Sequence, residues 1–385
     1  MLLKLLIYCL LFFLPTQLGR HFWFDFSYKL GARVDYLSPT IYFTDIIVTL
    51  IIAFYFFKKR KLVIGNWKLV LGILVLLEIG YWNLVIAENL FLLLYNLVKL
   101  MEMVLLAIIV VKTLSKRDFP QVIKVLNLAL VIQLALALYQ VVVEKSSGLW
   151  IIGERAFSIQ KPGIAKFVAI NGVQLLRGYG TFPHPNVLAG FSLVLLVLNI
   201  TMLIAKKPKK LWWFCGIALS LSAIFLSFSL LAWGLSLAII IFNIFKKKPI
   251  LAILLSIILN SYFIIQVTGE SVTRRLELLN ISWQLFKTSP VFGIGLGNFI
   301  PKMPVLSDQV YFWQPVHNIF VLVATETGLV GLAFLIWLFI KIWQRKSIIL
   351  NSYFIILVIG MFDHYWLTLQ QGRLLLAIII ALSLI

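Results

Sequence analysis

The sequence predicts an all-α polytopic integral membrane protein with about twelve transmembrane helices in a single membrane domain spanning residues 1–385. Three observations predict it. Hydrophobic residues make up 62% of the chain, enough for about twelve spans of ~20 residues. Only 12% of residues are charged and the mean hydropathy is +1.02, whereas soluble domains run near ~25% charged. The apolar residues also fall in long blocks and not in helical stripes, so a soluble reading is excluded. Cys9 and Cys215 lie far apart inside such blocks, which leaves neither a disulfide framework nor a cysteine zinc site.

A net charge of +20 could suggest nucleic acid, but here the basic runs sit between apolar blocks and report topology instead. Lys4 and the linkers at 58–68, 112–124, 206–210, 246–248 and 341–346 carry twenty Lys or Arg against one acid, Asp118. Placing them on one face puts both termini in the cytoplasm, with the spans among membrane lipids. Lys99 alone is left within a span. The implied spans are 3–19, 41–57, 62–80, 89–111, 121–143, 184–205, 211–227, 229–245, 249–267, 317–340, 348–362 and 369–385. The block 211–245 must return to the cytoplasm, so it is read as a hairpin turning near Ser227, Phe228 and Ser229. The first segment lacks a small-x-small cleavage site and is read as a retained span. The last apolar block has to include residues 369–372 to cross.

Polar residues concentrate on the outer face in loops 144–183, 268–316 and 363–373, and His21, His184, His317 and His364 all fall there. A lone histidine at an interface is usually structural; a cluster is not so easily dismissed. Loop 144–183 ends in Arg177-Gly178-Tyr179-Gly180-Thr181-Phe182-Pro183-His184-Pro185-Asn186. A proline-led helix start with a nearby arginine can hold an anion, although the same residues could simply shape a tight turn. Loop 268–316 opens with Arg274 and Arg275, whose guanidinium forks suit phosphate oxygens. Leu276, Leu279, Trp283 and Phe286 then form one apolar face, predicting an amphipathic helix lying on the outer leaflet. The following Gly293-Ile294-Gly295-Leu296-Gly297 lacks the frame of a dinucleotide fingerprint and reads as a flexible turn or cradle.

His317-Asn318 follows at the start of a span, where an imidazole can serve as a base at neutral pH. Glu326, nine residues along the same predicted helix and ~13 Å deeper, is a carboxylate that must be functional or partner-bonded. Gly328 and Gly331 suggest close helix packing. The third loop adds Asp363, His364 and Arg373. No D-x-D pair, H-E-x-x-H, Walker loop or Cys/His cluster occurs, so no metal and no cofactor is expected.

These residues resemble the O-antigen ligase and polymerase family of membrane glycosyltransferases. The resemblance rests on Arg177 with the Gly180–Asn186 run, on Arg275 through Trp283 and Pro290 to Gly295, and on His317-Asn318 followed by Gly328. It implies a GT-C-like fold, and a glycan donor on undecaprenyl diphosphate whose glycan passes, with inversion and without metal, to a hydroxyl on a lipid, a glycan or a protein. It also implies roles: Arg177, Arg275 and Arg274 bind the diphosphate, and His317 is catalytic, supported by His184, Asn186, Asn318, Glu326, Asp363, His364 and Arg373. Family members often carry Ser-Arg-Ser in the central hairpin. Here Ser229-Leu230-Leu231 lacks that arginine, which puts a substrate-binding role of the hairpin in doubt.

A lipid-linked glycan flippase would show two pseudo-repeated halves and polar residues at mid-membrane, and neither is found. A metal-dependent glycosyltransferase using a polyprenyl-monophosphate sugar would instead use acids of the first outer loop, where Asp25, Asp35 and Asp45 occur. The topology is checked by placing cysteines at Ser147 and Ser307. Both should react with an impermeant thiol reagent in intact cells or spheroplasts; labelling only after the cytoplasmic side is opened would overturn the map.

Overall fold

A computed structural model describes residues 1–59, 89–169, 172–205, 210–245, 269–303, 313–345 and 347–385. The expected spans 62–80 and 249–267 lie outside the described residues. Of the remaining expectations, each corresponds to a helix: α1 (Leu2–Phe13), α2 (Phe43–Lys59), α3 (Leu90–Thr113), α4 (Phe119–Val143), α5 (Pro185–Ile204), α6 (Lys210–Leu226), α7 (Leu230–Ile244), α10 (Ile319–Trp343), α11 (Leu350–Gly360) and α13 (Gln370–Leu384). Among the described residues, α3, α4, α5 and α10 are long and apolar enough to cross a membrane by themselves, and the other apolar helices are shorter. The split of 211–245 falls as expected, with Ser227 to Ser229 between α6 and α7.

The first helix is shorter than expected. It stops at Phe13 because Pro15 follows and because Thr16 and Gln17 turn outward to bond the loops. Thr16 Oγ1 donates to Ile152 O at 2.6 Å, and Gln17 Nε2 donates to Thr181 O at 2.6 Å. At the other end of α1, Lys4 pairs with Asp118 at 2.8 Å. The residues assigned to the basic face thus meet one another, and those assigned to the outer loops do likewise.

The outer loops depart from the all-α expectation. β1 (Gly19–His21) pairs with β4 (Thr40–Tyr42), β2 (Tyr28–Lys29) with β3 (Ala32–Arg33), and β5 (Lys166–Val168) with β6 (Gln174–Leu176), all antiparallel. Only inside a bilayer must each segment satisfy its own backbone as a helix; outside it, short ladders serve equally well.

α5 is apolar all round and sits at the centre, packed by α4, α6, α7, α11 and α13. Gly190 on α5 lets Tyr365 and Trp366 approach; a side chain there would overlap the Tyr365 ring. Asn127 on α4 and Asn199 on α5 exchange amide hydrogen bonds of 2.8 and 3.0 Å, so neither buried amide is left unpaired. Lys99 is not stranded in the span either. It reaches Asp45 in the first turn of α2 at 2.5 Å and Glu102 at 3.5 Å, level with the start of α13.

The amphipathic helix is α8 (Gly269–Thr288), followed by the short α9 (Phe299–Lys302). Leu278 and Ile281 are buried, whereas Leu276, Leu279 and Trp283 remain exposed, so the apolar face read from the sequence is left uncovered. The glycine segment after α8 is not a flexible cradle. Gly328 has φ 68° and ψ −167°, which breaks α10, and the segment splices the break. Ile294 and Gly295 amides donate to Thr325 O and Glu326 O, while Leu329 and Val330 amides donate to Pro290 O and Val291 O. This satisfies backbone groups that a continuous helix would have paired internally. Gly328 therefore serves a helix break, beyond the helix packing expected of it. That φ/ψ region costs a side-chain-bearing residue ~1–3 kcal/mol, and Val291 O leaves no room for a Cβ. Gly328→Ala should lower the melting temperature of the purified protein and its membrane level, measured by fluorescence-detected size exclusion.

Candidate active site

Arg177 is placed by a rigid loop. Gln140 Oε1 accepts from the Tyr179 and Gly180 amides at 2.9 Å each, and Gln133 Oε1 accepts from the Thr181 amide at 2.7 Å. Both glutamines project from one face of α4, seven residues apart. On its other side the loop leans on the central hairpin: the Gly178 amide donates to Leu226 O, and Arg177 Nε donates to Ser227 O at 2.8 Å. The hairpin that lacks an arginine thus contributes turn carbonyls that orient Arg177.

Arg177 Nη2 donates to Asn186 Oδ1 at 2.6 Å, and Asn186 Nδ2 donates to Asp363 Oδ2 at 3.3 Å. Asp363 Oδ1 accepts from the His364 amide at 2.8 Å. The His317 and His364 rings meet edge to face at 5.1 Å, and Tyr36 of the first outer loop packs on His364 at 5.4 Å. Arg275 Nη1 donates to Phe362 O at 3.1 Å, tying α8 to the same loop. Asn318 caps α10 by accepting from the Phe320 and Val321 amides, while its Nδ2 donates to Met361 O at 3.1 Å. Three stretches distant in sequence therefore converge on residues 361–364.

Within this set the histidines differ. His184 caps α5, its Nδ1 accepting from the Asn186 amide at 3.1 Å, and His364 Nδ1 bonds Thr368 Oγ1 at 2.7 Å. His317 Nδ1 is buried and has no protein partner among the described residues. His317 thus lacks the kind of bond that fixes the other two rings through Nδ1. His21 stands apart, bonded to Thr40 Oγ1 and stacked on Trp23.

Burial lowers His184 and His364 to about 3, with the positive charge of Arg177 adding to the effect on His184. Burial also lowers His317; Asp363 opposes this, and Arg275 and Arg274 reinforce it. His317 is therefore a neutral imidazole near pH 7, competent to accept a proton. Burial would raise Asp363, but His364, His317, His184 and Arg275 more than offset it and leave the carboxyl below its usual range. Arg177 is lowered by burial to about 10 and stays cationic.

Glu326 and Arg373 are not in this set. Glu326 accepts from the Phe299 amide at 3.3 Å, a bond that holds α9 against the spliced helix, so it is partner-bonded. Arg373 Nε donates to Leu367 O at 2.5 Å, and its charge acts on Tyr95 and Glu326. Sequence reading missed Gln133, Gln140, Ser227, Thr368 and Tyr36. For the two glutamines a signal existed: amides seven residues apart in an otherwise apolar span. Asp35 pairs with Arg155 at 3.0 Å and Asp45 with Lys99, so those first-loop acids have partners of their own. His317, Asp363 and His364 are also close enough to hold a cation, with ligand atoms within 4.8 Å of one another.

Residues 186–336 match the family model described as O-antigen ligase. This match supports the family resemblance carried by the sequence motifs. It covers Asn186, Arg274, Arg275, His317, Asn318 and Glu326, with Arg177 and His184 just before it and Asp363, His364 and Arg373 beyond it. No curated protein matches the chain. A match to an O-antigen ligase model in a chain with helices long and apolar enough to cross a membrane supports a role in surface polysaccharide biosynthesis.

The opposing charges around His317 give a signed test. Arg275→Gln removes a charge that lowers the imidazole, so its titration midpoint should rise; Asp363→Asn removes one that raises it, so the midpoint should fall. Nitrogen-15 NMR of ring-labelled histidine measures both. Shifts in the opposite directions would separate His317 from this cluster.

Proposed function

We propose that the protein transfers a glycan from an undecaprenyl-diphosphate carrier to an acceptor hydroxyl at the outer face of the cytoplasmic membrane, with inversion and without metal. The acceptor is a lipid, glycan or protein hydroxyl. The observation that carries this reading is the convergence of Arg177, Arg275 and His317 on residues 361–364. His317 takes the proton of the acceptor hydroxyl as its oxygen attacks the anomeric carbon. The bond from that carbon to the diphosphate oxygen breaks with the electron pair leaving on the diphosphate. Charge grows on that leaving group, and the guanidinium forks of Arg177, Arg275 and Arg274 would neutralise it. Asp363 stabilises the imidazolium that forms on His317. Asn186 couples the two halves, because its amide touches both Arg177 and Asp363.

A second reading has its own observation. The His317, Asp363 and His364 set could hold a divalent cation, which would take over neutralisation of the diphosphate and occupy the nitrogen assigned as base. Purified protein and an undecaprenyl-diphosphate glycan separate the two. Under the arginine reading, Arg177→Ala and Arg275→Ala should each cost on the order of 10²–10³ in turnover, with Lys rescuing only part. His317→Ala should cost ~10²–10⁴, and EDTA should have no effect. Activity lost to EDTA and restored by Mg²⁺ or Mn²⁺ would replace the metal-free mechanism. Wild-type rates in all three alanine variants would remove the site assignment.

A further inference from the structure

A second polar cluster lies beside the site, at the start of α13, and the transfer chemistry does not use it. Asp45 in the first turn of α2 accepts from the Tyr42 amide at 2.8 Å, from Lys99 Nζ at 2.5 Å and from Gln370 Nε2. Gln370 Nε2 also reaches Glu102 at 3.5 Å. Lys99 is 4% exposed and stands over the rings of Tyr42 and Tyr95 at 5.3 and 5.6 Å, so a lysine, two carboxylates and an amide interlock with little water. Next to Gln370, Gln371 Nε2 donates to Thr16 O at 2.9 Å. The start of α13 is thereby fastened to the segment after α1, to α2 and to α3 at once.

The corner leading from there back to the site is stiff. Gly372 packs on the Tyr365 carbonyl with no space for a Cβ, the Leu369 amide donates to Tyr365 O, and Thr368 Oγ1 bonds His364 Nδ1. Between Asp363 and Gln370 lies only the single-turn α12 (Tyr365–Thr368). Fixing Gln370 therefore fixes Asp363 and His364.

We propose that Gln370, held by the Asp45–Lys99–Glu102 ion network, is a positioning residue that sets Asp363 and His364 against His317. The cluster touches no reacting atom in this arrangement; it acts through the corner. The kinetic side of this inference rests on the transfer reading above, whereas its geometric side does not.

The test is Gln370→Met, which keeps length and volume but removes the amide, in full-length purified protein. With the undecaprenyl-diphosphate glycan, kcat should fall ~10–100-fold while the donor KM stays within about twofold, because the arginines are untouched. Carbethoxylation by diethyl pyrocarbonate, followed residue by residue by mass spectrometry, should become several-fold faster at His364, which is 3% exposed in the native arrangement. A merely structural role would lower the protein level without moving either quantity per molecule. Asp45→Asn keeps an oxygen for Gln370 while releasing Lys99, and should show the same two changes at smaller amplitude. Wild-type kcat and wild-type His364 protection in Gln370→Met would overturn the proposal, as would failure of both variants to accumulate, which would assign the network to folding. Should wild type itself transfer nothing from this donor, the transfer reading fails, and the His364 protection of the two variants still decides the positioning.

Discussion

A carboxylate with little access to water at Asp363 is the constraint on which the outer half of the molecule depends. An anion there is costly unless donors and positive charge gather round it, and the chain supplies them from three separate stretches. The His364 amide and the Asn186 side chain bond it directly, Arg177 acts through Asn186, and Arg275 reaches the same loop through the Phe362 carbonyl. Removing this carboxylate would leave cationic groups facing one another across the 361–364 turn. Its placement explains why residues nearly two hundred positions apart share one site.

The scaffold around that turn is fastened mainly by side-chain amides bonded to backbone. Gln133 and Gln140 hold the loop behind Arg177, Gln17 holds Thr181, and Gln371 holds Thr16. Near the membrane boundary this is an economical solution. A glutamine both donates and accepts, so it satisfies loop amides and carbonyls together without carrying a charge into an apolar setting. The lysine among the fasteners, Lys99, is matched by two acids and two ring faces, which offsets the cost of placing an ammonium there.

Sequence reading located the helices well because apolar block length and linker charge are local properties. It also selected Arg177, Arg275, His317, Asp363 and His364, since polar residues clustered at one rim of an apolar chain stand out. What it missed depends on shape. The end of α1 is set by contacts that Thr16 and Gln17 make over a hundred residues away. The helix break at Gly328 and the Gly293–Gly297 splice form one feature, yet each glycine run by itself reads as a turn or a packing motif. Glu326 is the instructive case. Burial in a predicted span marked it as either functional or partner-bonded, and only the splice reveals the amide of Phe299 as its partner.

The charge at the site argues for how the leaving group is handled. Arg177 and Arg275 act on Asp363 and Arg274 acts on His317, while burial holds the histidines neutral, so these groups together retain two positive charges near neutral pH. A diphosphate diester carries two negative charges and gains a third as the glycosidic bond breaks, so attraction grows along the reaction, which is the condition for lowering a barrier. A divalent cation on His317, Asp363 and His364 would add two further positive charges and would take a ring nitrogen of His317. The acceptor would then need a different base, and His184 and His364, both lowered to about 3, are weak bases for that task. Under the proposed transfer, the neutral His317 ring and the surplus of arginine charge are complementary features: the first would take the acceptor proton, and the second would meet the charge that grows on the diphosphate.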